Sequence, residues 1–180
     1  QISGHASRSF PQKSLKLKAE KRFRNSKIEN VFFDSSEVKN YAALVLRSSG
    51  NDNKKTLFAD LLMHNLISNT KVISQKGKPV SVFINGNYWG IYNLRERQNK
   101  YYIAKKENVK VDKVTILEKG NGALNSGRKK VQVKYIKLID SLSNLSSIDD
   151  ECLTFINKKI SLKSFTDYIE IETFYGNTDW

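Results

Sequence analysis

Polar and apolar residues alternate with period two early in this chain and with a helical period late in it. Lys13-Ser14-Leu15-Lys16-Leu17-Lys18-Ala19 reads as a half-buried strand after the Pro11 turn. Val31–Phe33 reads as a short strand, and Tyr41–Leu46 as a buried strand running into the polar stretch Ser48–Asn53. Leu57, Leu61, Leu62, Asn65 and Leu66 fall on one helical face, which predicts a helix over Lys54–Ser68. Val80–Ile84 and Tyr88–Leu94 flank Asn85-Gly86-Asn87, and Asn-Gly takes positive φ cheaply, so this is the clearest hairpin. Trp89 and Tyr92 are expected in the core or at an interface, and Gly90 marks a bulge or a close backbone approach. Arg95–Lys106 begins a helix or turn, Val114–Leu117 is a short strand, and Gly120–Gly127 a loop. Three helices follow, over Arg128–Ser143, Asp149–Lys158 and Leu162–Tyr175.

Strands early and helices late make an α+β chain, with a strand-rich lobe over about 1–118 and the start of a helical lobe over 119–180. The 39% hydrophobic content supplies a real core, so the chain is folded rather than disordered. The formal charge of +13 points to an anionic partner or a solubilising surface. Eight Lys or Arg stand against two acids in the first thirty residues, so the excess is steepest there. Cys152 is the only cysteine, which rules out an intrachain disulfide and favours a buried structural thiol. His5 and His64 lie far apart without cysteine partners, so no zinc spacing exists. No run of apolar residues is long enough for a membrane-spanning helix.

Nucleotide and hydrolase motifs are missing. Gly120-Asn121-Gly122 lacks the third glycine of a dinucleotide fingerprint, and there is neither a P-loop nor a Gly-x-Ser-x-Gly elbow. The order of elements is more telling. A basic strand (Lys13, Lys16, Lys18) precedes a helix, then a hairpin ending in Arg95-Glu96-Arg97, then helices ending in a loop aspartate, Asp179. Phosphoryl transfer needs a strand lysine for the phosphates, an acid to hold it and an acid for the hydroxyl proton. Taken singly, a strand lysine is usually solvated, Glu96 between two arginines is usually a surface ion pair, and Asp179 is a turn former.

Taken together, these segments resemble the CotH family, the spore-coat-protein-H-like kinases, along nearly the whole chain. Ser3–Ser14 looks like the family's opening Arg-Gly-x-Ser-Ser-Arg-x-x-Pro-x-Lys-Ser stretch, with Ser3 in place of its arginine. Leu46–Asp52 followed by a helix looks like its strand–loop–helix segment, though the arginine of many members is not evident near Phe58. Phe83–Arg97, with Asn85-Gly86-Asn87-Tyr88-Trp89-Gly90 and Glu96, is the most specific piece. Phe174–Trp180 looks like the family's Asn-x-Asp-Trp catalytic segment.

The resemblance implies an atypical protein-kinase-like fold, incomplete here, and transfer of the ATP γ-phosphate to protein Ser/Thr hydroxyls with magnesium. Asp179 matches the catalytic aspartate, and Lys13 or Lys16 the phosphate-binding lysine. Strand parity puts Lys13 with Leu15 and Leu17 and so favours Lys13. Glu96 would be the acid partner, with Arg8 and Ser7 near the phosphates. The metal ligands would lie past residue 180, and residues 1–180 alone are expected to transfer no phosphate. The chain then reads as a piece of a larger bacterial protein, extracellular or at the cell surface, with a nucleotide and a protein substrate as partners. A catalytically silent surface or coat protein of the same fold is the second reading. A basic nucleic-acid binder is the third, and the aromatics, which follow core patterns, argue against it.

Overall fold

The computed structural model describes every residue except 5, 21, 23–25, 30, 31, 34–39, 53, 179 and 180. Contacts divide the chain into two compact units, residues 1–97 with 166–180, and residues 98–165. Helices and antiparallel sheets give the α+β class.

The first unit is built on a five-stranded antiparallel sheet. Its strands are β1 (Ile2–Ser3), β2 (Ser14–Lys18), β5 (Ala43–Arg47), β6 (Gly77–Ile84) and β7 (Asn87–Glu96), in the order β1-β2-β5-β7-β6. A two-stranded sheet joins β3 (Ile28–Glu29) to β4 (Asn40–Tyr41). The expected strand over Val31–Phe33 is not one. Val31 lies outside the described residues, and Phe32 and Phe33 form no strand, turning instead into the core.

Register decides which residues share a face, because directly opposed residues of an antiparallel pair point the same way. Leu15, Leu46 and Leu94 form one row, and Leu17, Leu44 and Glu96 the next. With Tyr92 they make the core face, where Phe33 and Tyr41 meet edge to face at 6.0 Å. Lys16, Val45 and Arg95 form a row on the opposite face, as do Arg47 and Asn93. Helix α1 (Ala59–Leu66) covers that second face. Its approach explains Gly77, where a Cβ would come 2.8 Å from Leu61 Cδ1 and 3.0 Å from Arg95 Cγ.

Helix α1 begins later than the apolar spacing predicts. Asp52 gathers Thr56 N at 3.0 Å, Thr56 Oγ1 at 2.7 Å and Ala59 N at 3.0 Å, so its carboxylate caps the helix from the preceding loop. Burial alone would raise the Asp52 pKa, but these hydrogen bonds and Lys55 outweigh it and hold the carboxyl below its usual value. The β6–β7 hairpin turns at Asn85 (φ 51) and Gly86 (φ 82), the left-handed pair that Asn-Gly favours. A register shift at Val82/Phe83 leaves Trp89 as the extra residue, and a Cβ on Gly90 would lie 3.0 Å from Gln12 Nε2. Tyr92 is fully buried, whereas Trp89 is 47% exposed, contrary to expectation. Near the hairpin tip Phe83, Tyr88 and Ile91 are exposed as well.

The second unit carries α2 (Lys100–Lys106), a small hairpin of β8 (Ile116–Glu118) and β9 (Ala123–Ser126), α3 (Lys129–Ser143) and α4 (Asp150–Asn157). Asn99 caps α2 and Asp149 caps α4 through their side chains. Residues 123–126, expected as loop, form β9 because Gly122 (φ 68) turns the chain back on β8. Cys152 is half-buried in the first turn of α4. Helix α5 spans Leu162–Phe174, and its residues from Thr166 belong to the first unit. Gly176 (φ 60) ends it, with Asn177 N bonded back to Glu172 O at 3.0 Å. Among the described residues no helix is long and apolar enough to cross a membrane.

Candidate functional site

The polar chemistry of the first unit gathers on the face under α1. Arg95 is 2% exposed, and an interior guanidinium needs a carboxylate. Asp60, in the first turn of α1, supplies it. Asp60 Oδ2 lies 3.0 Å from Arg95 Nη2 and 2.8 Å from Arg47 Nε, so one carboxylate stands between two guanidiniums. Burial pushes the Arg95 pKa down and Asp60 pulls it back up. Gln75 completes the enclosure. Its Oε1 accepts from Arg95 Nη1 at 3.3 Å and its Nε2 donates to Glu96 O at 3.0 Å. His64, one helical turn after Asp60, brings Nε2 to 3.5 Å from Asp60 Oδ1 and accepts the Gln75 N–H at Nδ1, 3.3 Å away.

Lys16 shares the row of Val45 and Arg95, two strands from Arg95 and so about 10 Å away at the backbone. Its ammonium is held below its usual pKa first by burial, then by the positive charges of Arg97, Lys18 and Arg8. Among the described residues none of these four cations forms an ion pair. Four unneutralised cations near one another attract an anion with several charges, such as a polyphosphate. Beside them, Ser14 and Ser48 share a buried hydrogen bond at 3.0 Å. Asn93 Nδ2 donates to Ser49 Oγ at 3.0 Å and to Leu57 O at 2.8 Å, which pins the loop after β5.

The residues singled out in the sequence are placed as follows. Arg8 is exposed in a 3-10 turn over Ala6–Ser9 that also contains Ser7. Lys13 precedes β2, and its Nζ donates to Phe10 O at 2.6 Å. Lys16 is half-buried on the helix face, whereas Glu96 is 6% exposed on the core face opposite Leu44. Lys16 and Glu96 therefore stand on opposite faces of the sheet, and the structure does not bring them together. The acid that holds strand cations is Asp60. Asp179 lies outside the described residues. No three His, Cys, Asp or Glu side chains come together as a metal site among the described residues.

Asp60, Arg47 and Gln75 escaped the sequence reading as site residues, Arg95 entered it only beside Glu96, and His64 only as a zinc ligand that was set aside. A signal was available. Tyr92, Leu94 and Glu96 alternate with Asn93 and Arg95, and a strand buried on both faces obliges its arginine to find an acid. Asp60, on the helix that precedes this hairpin, was a candidate for it, with His64 one helical turn further on.

The chain matches the CotH kinase protein family over residues 1–180 and belongs to that family. No curated protein and no solved structure matches it.

Proposed function

We infer that this chain is the nucleotide-binding part of a CotH-type protein kinase, which transfers the ATP γ-phosphate to Ser/Thr hydroxyls of a protein substrate. The observation that carries the reading is the cluster of Arg8, Lys16, Lys18 and Arg97, four cations without an ion-pair partner among the described residues. A triphosphate carries the charge such a cluster lacks, so ATP fits it. Asp60 adds support. It holds cations of two strands from the helix that follows β5, and protein kinases likewise use a helix acid to fix a strand cation beside the phosphates. Of the two candidate lysines, Lys16 is favoured, since it lies in β2, whereas Lys13 precedes the strand and its Nζ is engaged by Phe10 O.

In this reading Lys16, Lys18, Arg8 and Arg97 bind and orient the phosphates. Asp60 keeps Arg47 and Arg95 in place behind them. Asp179 accepts the proton of the substrate hydroxyl, as the family resemblance implies. Magnesium, when bound, would neutralise charge on the phosphates, and among the described residues no three His, Cys, Asp or Glu side chains gather to hold it. A location at a bacterial cell surface or spore coat goes with family membership.

The test is binding of magnesium-ATP to the full-length protein, followed by transfer of labelled phosphate to protein. Lys16→Ala should weaken ATP by about tenfold, the worth of one charge-assisted contact. Asp179→Asn should keep ATP affinity and lower kcat by about a hundredfold. Absence of ATP binding would sink the reading. ATP binding without transfer would identify a silent surface or coat protein of the same fold.

A further inference from the structure

Both ring nitrogens of His64 are committed. Nδ1 accepts the Gln75 backbone N–H at 3.3 Å, so the ring proton of the neutral form sits on Nε2, which faces Asp60 Oδ1 at 3.5 Å. The neutral imidazole thus turns its N–H toward α1's own carboxylate and accepts from the segment that leads into β6. Gln75 passes the constraint on, because its side chain holds Arg95 Nη1 and the Glu96 carbonyl. One ring therefore ties together Asp60, Gln75 and Arg95. The protonated ring cannot do the same. It would set an N–H at Nδ1 against the N–H of Gln75, and two donors do not bond.

We propose that His64 is the positioning residue of the Asp60 ion pair, that it acts only as neutral imidazole, and that acid therefore loosens the pair and weakens nucleotide binding beside it. The last clause rests on the function inferred above, whereas the positioning role stands without it. The charged groups facing the ring come from every element around it: Arg95 on β7, Arg47 on β5, Asp60 on its own helix and Glu172 on α5. Burial first, then Arg95, holds the His64 pKa below its usual value, against the opposite pull of Asp60. A ring that binds its proton more weakly here than when released is intact above the ordinary histidine range. The arrangement is lost as the pH falls below that range. The Arg47–Asp60–Arg95 contacts would then loosen on the sheet face that Lys16 shares.

The experiment compares the full chain with its His64→Gln variant. A glutamine amide can turn its N–H toward Asp60 and accept from Gln75 as the neutral imidazole does, yet it does not titrate. Without nucleotide, the Gln75 amide and the Arg95 side-chain N–H signals are followed by NMR from about pH 7.5 to about pH 5, across the histidine range. In the wild type they should move together with the His64 ring, and in H64Q they should stay still. Signals that ignore pH in the wild type, or that move equally in H64Q, overturn the proposal. Magnesium-ATP affinity is then measured on both proteins. Protonation of the phosphates affects both alike and cancels in the ratio. The wild type should lose about fivefold or more relative to H64Q on acidification, the lower end of ordinary coupling between sites. A flat ratio with moving NMR signals overturns the link to the nucleotide. No ATP binding at any pH overturns the inferred function, and the NMR signals alone then decide the positioning role.

Discussion

Asp60 on α1 lies 2.8 Å from Arg47 Nε and 3.0 Å from Arg95 Nη2, so a single carboxylate joins two strands of the sheet to the helix above them. The two cations differ in depth. The Arg95 side chain is 3% exposed and that of Arg47 is 47% exposed, so the inner contact is poorly screened and the outer one well screened. The inner arginine depends on Asp60 for its place, whereas the outer one has solvent as an alternative.

Replacing Asp60 with Asn should therefore cost about 2 kcal/mol of stability. That is below the usual loss for one partner of a fully buried pair, because Asp60 is itself 32% exposed. Urea unfolding checks the value. Most of the loss should return when Arg95 is changed to Met in the same chain, since the uncompensated buried charge goes with it. A loss of only a few tenths would mean that water screens both contacts.

Gly86 offers a cleaner test of local backbone chemistry. It sits at φ 82, and a Cβ built there meets nothing within 4 Å. Gly86→Val thus adds backbone strain and no clash, and should lower stability by about 1–2 kcal/mol. A thermal melt of the variant should show the drop, and an unchanged midpoint would argue against the tight turn.

The parts of the fold written in local chemistry were legible, and those set by tertiary contact were not. Asn85-Gly86 announces its hairpin because the left-handed pair is a property of two adjacent residues. The helices α3, α4 and α5 follow from period and from caps such as Asp149. Trp89 misled because the register shift beside it sets it outside the strand alternation, near a tip where Phe83 and Ile91 are exposed too. The start of α1 misled because Leu57 fits the apolar spacing yet takes φ 66, held in a loop by Ser49 and Asn93. For the candidate site, Arg8 and the pair Lys13 and Lys16 were named by the family resemblance, with strand parity favouring Lys13. Asp60 could be a candidate acid for Arg95, but the contact itself depends on which sheet face the helix covers.

Asp52 makes a prediction that includes pH. Its carboxylate caps α1 through Ala59 N and also holds Thr56, so Asp52→Ala should cost about 1 kcal/mol. Its pKa is depressed in the folded chain, so this contribution is complete above the ordinary carboxylate range and is lost as the pH falls through the lowered value. The stability gap between wild type and D52A should therefore narrow in acid. Urea midpoints at neutral and acid pH decide it, and a gap that does not change would show that the cap does not titrate.

Leu57 carries the last prediction. Its carbonyl accepts two hydrogen bonds, from Ser49 Oγ at 2.5 Å and from Asn93 Nδ2 at 2.8 Å, and it belongs to a residue strained at φ 66. Asn93 is 1% exposed and Ser49 4%, so water has little access to their side of the carbonyl. Losing either donor leaves the other in place. Losing both leaves the acceptor unpaired, and that penalty falls only on the double change. Both single changes also lose the Asn93–Ser49 bond, so about 1 kcal/mol is counted twice in their sum, against about 2 kcal/mol for the unpaired carbonyl. Ser49→Ala and Asn93→Leu should thus cost more together than the two singly, by about 1 kcal/mol. Four urea denaturation curves close the cycle. A double change that costs less than the sum would mean that water reaches the carbonyl once the side chains are gone.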